Sequence, residues 1–193
     1  MADPIAYSFY GTTIPILRNF ASSAISILTA ATKEISAAEH GAVPSEHDIL
    51  DAHFGDMLPF RMQPILLAKF ALEPLQNLHL EGSSTIPTLD PGFTSLDAVV
   101  DFFKQLETVF DAVDESQYNE SAGKSVDVSV GGKTLHMTSL ADYFHSFVIP
   151  NGYFHLNAMY MLLRSRGFKL GKGLYIGPWM SEQQKKDWAP LRN

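Results

Sequence analysis

The chain has 193 residues, of which 46% are hydrophobic and 18% charged, with a formal charge of −7 and no cysteine. That length suits one domain with a real core, and that composition argues against disorder. The acidic balance without a dense Lys/Arg run disfavours a nucleic-acid surface, and the missing cysteine excludes disulfides, thiolate nucleophiles and Cys-based zinc sites.

The first fifteen residues lack a basic region followed by a long apolar run, so they do not read as a signal peptide. No apolar stretch stands out as a membrane span, and the expectation is a cytoplasmic protein that engages neither membrane nor nucleic acid. From Ile14 to about Ala37, the residues Leu17, Phe20, Ala24, Leu28, Ala31 and Ile35 recur at three- and four-residue steps. That is one stripe of an amphipathic helix. Gly41, Pro44 and Gly55 then interrupt the pattern, with Ile49 and Leu50 as anchors.

A second helix is predicted over Pro59 to Leu78, with Asp56 as its N-cap and Pro59 in its first turn. Pro64 and Pro74 predict a kink or a late start, because each removes an amide donor. A turn-rich connection over 80–93 leads to Thr94 and Asp97, which resemble a capping box. The third helix buries Leu96, Val99, Val100, Phe103, Leu106 and Phe110.

Val126, Val128 and Val130, then Gly131-Gly132, then Leu135 and Met137 switch the period to two, a β-hairpin signal. Ser139 and Asp142 cap a fourth helix, interrupted at Pro150, which runs to about Arg166 with Gly167 as its C-cap. A short helix is expected at Ser181 to Trp188 in an otherwise irregular tail. The predicted fold is all-α: one domain, a four-helix bundle with a small hairpin before the last helix.

At about 100° per residue, Tyr153, Asn157, Tyr160 and Arg164 form one row of the last helix, and His155 lies roughly opposite on the apolar side. An ionisable ring there has two explanations. It is a core histidine satisfied by a neighbour, or it is a neutral base at a cavity wall, its pKa lowered by burial.

The stretch IPNGYFHLNAMYMLLRSRGFKLGK (Ile149 to Lys172) resembles a signature of a bacterial and fungal family, roughly L-P-N-F-Y-F-H, A-Y-x-I-L-R and G-x-x-L-G-K. Asp56 to Gln63, DMLPFRMQ, is similar to the family's D-M-x-P-x-x-x-Q. The family is catalogued as a domain of unknown function and looks like a distant relative of DinB-type bundles. The resemblance runs from about Phe9 to Lys172 and implies a DinB-like four-helix bundle. Its matched polar positions are Asp56, Gln63, Asn151, Tyr153, His155 and Arg164. The chain departs at Gly152, where the family has an aromatic residue, and a smaller side chain there is expected to enlarge a cavity near His155.

DinB-like bundles often hold a divalent metal through three histidines. No two of the seven histidines here are three or four residues apart, and on an unbroken helix His145 and His155 diverge by about 80°. His53 joins them only if Pro150 bends the helix. The first expectation is therefore an enzyme without metal or other cofactor, acting on an apolar small molecule, a secondary metabolite by type. It would move protons in an epimerisation, isomerisation or cyclisation.

In that reading His155 is the base, Asp56 its partner or the opposing acid, and His53 a second acid/base group. Gln63, Asn151, Tyr153, Tyr143 and Met159 contact substrate, Gln63 as an oxyanion donor. Blander roles compete with these. Asp56 also reads as a plain cap, Gln63 as an interhelical bond, His53 as a solvated loop residue and the methionines as core filler. Two further functions stand beside the first: a non-catalytic small-molecule-binding module, dimeric through an apolar helix face, and a DinB-type metal-dependent enzyme.

Overall fold

The computed structural model of the chain describes residues 7–39 and 43–192. Gly41 and the first six residues, both part of the sequence reading above, lie outside them, as does His40. Helix α1 (Ile14–Ala37) has the predicted bounds, with Pro15 in its first turn, and its stripe Leu17, Phe20, Ala24, Leu28 and Ala31 is sealed from solvent. Among the described residues it is the one helix long and apolar enough to cross a membrane, at a mean hydropathy of 1.3. Half of that stretch is buried inside the protein, as in the core helix of a bundle.

Ile49 and Leu50 anchor the next segment through a short helix, α2 (Glu46–Asp51). Its capping box, in which Ser45 and Asp48 satisfy each other's amides, makes a helix of a stretch read as a loop. Helix α3 (Met62–Asn77) starts three residues later than predicted, with Arg61 at its N-cap. Asp56 is therefore not its cap. The chain spends an extra turn between them, held by Phe60 N–H to Ala52 O at 2.8 Å and Arg61 N–H to Leu50 O at 3.0 Å. Pro64 falls in the first turn of α3, where no intrahelical amide bond is lost.

The end of α3 fixes a special backbone position. His79 N–H bonds Gln76 O and Leu80 N–H bonds Leu75 O, a Schellman closure that puts His79 in the left-handed region at φ 55°. A side chain there is strained where glycine is not. Replacing exposed His79 with glycine should raise stability by about 0.5–1 kcal/mol. The readout is a higher urea midpoint at unchanged m-value.

Helix α4 (Leu96–Asp111) buries the predicted stripe, but its N-cap is Ser95, whose side chain accepts from Ala98 N–H at 3.1 Å, one residue beyond the expected Thr94. A further short helix, α5 (Glu115–Glu120), is capped by Asp114. Strands β1 (Val126–Val130) and β2 (Lys133–Met137) pair antiparallel, Val130 opposite Lys133. Gly131 and Gly132 stand at φ 57° and 77°, as a tight two-residue hairpin turn requires. The hairpin docks on α3 through Ser129 N–H to Glu73 Oε1 at 2.7 Å and Asn77 Nδ2 to Asp127 O at 3.0 Å.

Ser139 caps α6 (Leu140–Tyr143), which continues as a π-helical turn (Phe144–Val148) into α7 (Ile149–Ser165). Pro150 does not break this run, because the wider turn before it, with Ile149 N–H on Phe144 O five residues back, has already displaced the carbonyl the ring would strike. Gly167, at φ 96°, closes α7 in a second Schellman motif. Helices α1, α3, α4 and α6–α7 form the bundle: α1 packs on α4 and α7, and α3 on α7.

A C-terminal strap follows: α8 (Lys172–Ile176) and a 3₁₀ turn (Gly177–Trp179) lie on α1. Trp179 of the strap stacks on Tyr153, and further along the same row Tyr160 and Arg164 each donate to Leu170 O at 3.0 Å, just before the strap. Helix α9 (Glu182–Asp187), capped by Ser181, stands where the tail helix was expected.

Candidate functional site

The polar residues of α6–α7 meet α3 in register. Counting back along α7 and forward along α3, His155 meets Gln63, Asn151 meets Leu66 and Phe147 meets Phe70. Continuing the count brings Tyr143 to Glu73, and burial first, with the Glu73 carboxylate second, raises the Tyr143 phenol pKa. Residues four apart on one helix face those three or four apart on an antiparallel partner, and of the polar residues the sequence singled out this seam carries Gln63, Asn151, His155 and Tyr143.

His155 sits at one end of the seam, 7% exposed. Its Nδ1 lies 2.8 Å from Gln63 Oε1, and Gln63 Nε2 donates to Leu58 O at 2.7 Å. The Leu58 carbonyl can only accept, so the Gln63 amide is fixed with its NH₂ toward the loop and its oxygen toward the ring. His155 Nδ1 must then carry the proton, and Nε2 bears the lone pair. Among the described residues, Nε2 has no hydrogen-bond partner. Burial lowers the His155 pKa to about 4, so the ring is neutral near pH 7.

This arrangement revises several expectations. Gln63 is buried and its amide is used on both sides, so it orients His155 and offers no free oxyanion donor. Asp56 is exposed and makes neither a hydrogen bond nor an ion pair with His155; the ring's partner is Gln63. His53 is also exposed, its Nδ1 2.7 Å from Gly55 O within its own loop. Tyr153 points the other way, edge-on to Phe20 at 4.7 Å, and Met159 is sealed in the core at 1% exposure. Gly152 opens no cavity, because the Phe20 ring fills the space a larger side chain would take. Tyr143 does belong to the seam, but twelve residues from His155, ~18 Å along the helix. One small molecule cannot have a single reacting bond at both.

The histidines do not converge. His145 Nε2 lies 3.0 Å from Thr12 Oγ1, His53 stays in its loop and His155 is bonded to Gln63. Among the described residues, no three His, Asp or Glu are grouped as metal ligands. The three-histidine set of the DinB type therefore does not fit the described residues.

Sequence reasoning named Gln63 and His155 but did not pair them. The signal that joins them is the antiparallel register of α3 and α7, which needs the helix start at Met62 to be known.

The fold has a solved counterpart. A DinB family member from Shewanella denitrificans superimposes with a TM-score of 0.67, at 22% identity, over 87% of this chain and 91% of that one. At that identity the likeness concerns the fold, a DinB-like helical bundle. No curated protein matches the chain. Residues 9–176 match the family described as a domain of unknown function, DUF1993, and this span of most of the chain makes the protein a member of it.

Proposed function

We propose that the protein is an acid/base enzyme that moves a proton on an apolar small molecule, with His155 Nε2 as the base. The observation that carries this reading is the chain from Leu58 O through the Gln63 amide to His155 Nδ1–H. It holds one tautomer and leaves a lone pair unpartnered, the arrangement of a base oriented by a second group. Exposed Phe154, edge-on to the His155 ring at 5.1 Å, supplies an apolar neighbour. The base takes a proton from carbon and returns it from the imidazolium, so no redox partner is needed. Exposed Asp56 and His53 carry no step.

The test is solvent exchange. The protein is incubated in D₂O with a panel of apolar carbon acids, aryl ketones and hydrophobic esters, and deuterium entry at the carbon next to the carbonyl is followed by NMR. His155→Gln should slow exchange by ~10²–10⁴-fold, the usual contribution of a positioned base. Equal exchange by wild type and variant would remove His155 from the mechanism.

A further inference from the structure

The other end of the seam holds a cavity of about 340 Å³ between the hairpin and the start of the last helix. Its apolar wall is Val130, Leu135, Met137 and Phe147, and Tyr143 completes it. That volume is at the lower end of what small-molecule sites occupy. Two of its side chains, Ser146 and Phe147, lie on the π-helical turn, an irregularity that often accompanies functional sites.

Three features of charge and hydrogen bonding set what the cavity can hold. Among the described residues no Lys or Arg lines it; besides Tyr143 its ionisable residues are Asp142 and His136, and His136 is engaged with Asp127 at 2.8 Å. The Asp142 carboxylate is exposed and makes no ion pair among the described residues. The third feature is an unfinished pair behind the wall. Tyr143 is 5% exposed, yet among the described residues its hydroxyl has no partner. Glu73 accepts Ser129 N–H through Oε1, while its buried Oε2 is likewise without one. A buried carboxylate oxygen and a buried phenol left unmatched are each costly.

We infer that this cavity is a binding site for a protonated amine with an apolar body, held apart from the chemistry at His155. The apolar body packs on Val130, Leu135, Met137 and Phe147. The ammonium faces the exposed Asp142 carboxylate, and a small turn of the Tyr143 ring brings its buried oxygen to accept from the ammonium while the phenol donates to Glu73 Oε2. That sequence satisfies both orphaned groups and sets the ligand's positive charge against two carboxylates. The stacked rings of Tyr143 and Phe147, 5.7 Å apart, add a face for the cation. An anion would meet the Asp142 carboxylate, with that of Glu73 behind the wall, and no Lys or Arg among the described lining residues. The site does not depend on His155, so it stands or falls separately from the proposed catalysis.

The experiment compares three probes of matched shape: 2-phenylethylamine, 2-phenylethanol and phenylacetate. Binding to the full chain is followed by ¹H–¹⁵N NMR and calorimetry at pH 7. The amine should bind at least tenfold more tightly than the alcohol, shift the Met137, Tyr143 and Phe147 amides, and show no binding difference in His155→Gln. Phenylacetate should not bind. Tyr143→Phe and Asp142→Asn should each weaken the amine about fivefold or more. Asp142 is exposed, so its variant tests the charge without threatening the fold. Equal binding of all three probes, or an unchanged affinity in Asp142→Asn and Tyr143→Phe, would overturn the inference.

Discussion

Between pH 7 and pH 4.5 the wild-type chain should lose about 2–3 kcal/mol of stability that the His155→Gln variant does not lose. Burial holds the folded-state pKa of His155 near 4 against an ordinary value of 6.5. Well above pH 6.5 the ring is neutral in both states and contributes no pH dependence. As pH falls from 6.5 toward 4, the unfolded chain takes up the proton and the folded one does not. The unfolded state binds more protons in that window, so stability falls as pH falls. The structural reason lies in the second ring nitrogen. Nδ1–H already donates to Gln63, so protonation adds a donor at Nε2 for which no described residue provides an acceptor. Urea unfolding of both chains at a series of pH values checks this. Acid-sensitive carboxylates act in both proteins, so only the difference counts, and parallel curves would mean that the ring is well solvated in the fold.

The same residue marks where sequence reasoning stopped. Its burial followed from helical period alone, since Met159 and Leu162 share its side of α7. Its partner did not, because pairing across two helices depends on where each begins. An aspartate followed by proline looks like a cap, so Asp56 drew the start of α3 too early and seemed the natural acid for His155. The extra turn over 52–61 shifts that choice to Gln63.

Elements set by long stripes or special backbone were legible: α1 and α4 by their period, the hairpin by two adjacent glycines. The six-residue helices α2 and α5 were not, since they are made by the caps Ser45 and Asp114 and bury one or two residues each. The π turn left no trace in the apolar pattern, so Pro150 read as an interruption of a helix that runs through it. The cavity beside Tyr143 was also invisible, because its walls come from a hairpin and a helix start whose packing no period records.

Gly152→Ala should destabilise the protein by about 1–3 kcal/mol, although alanine is the better helix former by ~1 kcal/mol. Glycine here is a packing requirement between α1 and α7. A Cβ would stand 2.3 Å from Phe20 Cε2 and 2.8 Å from Cδ2, inside the closest approach carbon atoms tolerate. Phe20 cannot yield easily: it is fully buried, and Tyr153 and Trp179 meet its ring edge-on at 4.7 and 5.4 Å. The clash should therefore spread into the C-terminal strap as well as pushing the helices apart. Phe20→Leu alone also destabilises, by leaving unfilled volume. Because both changes act on one contact, Phe20→Leu with Gly152→Ala should be more stable than the sum of the single losses predicts, by at least 1 kcal/mol. Chemical denaturation of the four proteins measures that coupling. Strict additivity, or a gain in stability from Gly152→Ala alone, would show that α1 and α7 do not approach through this glycine.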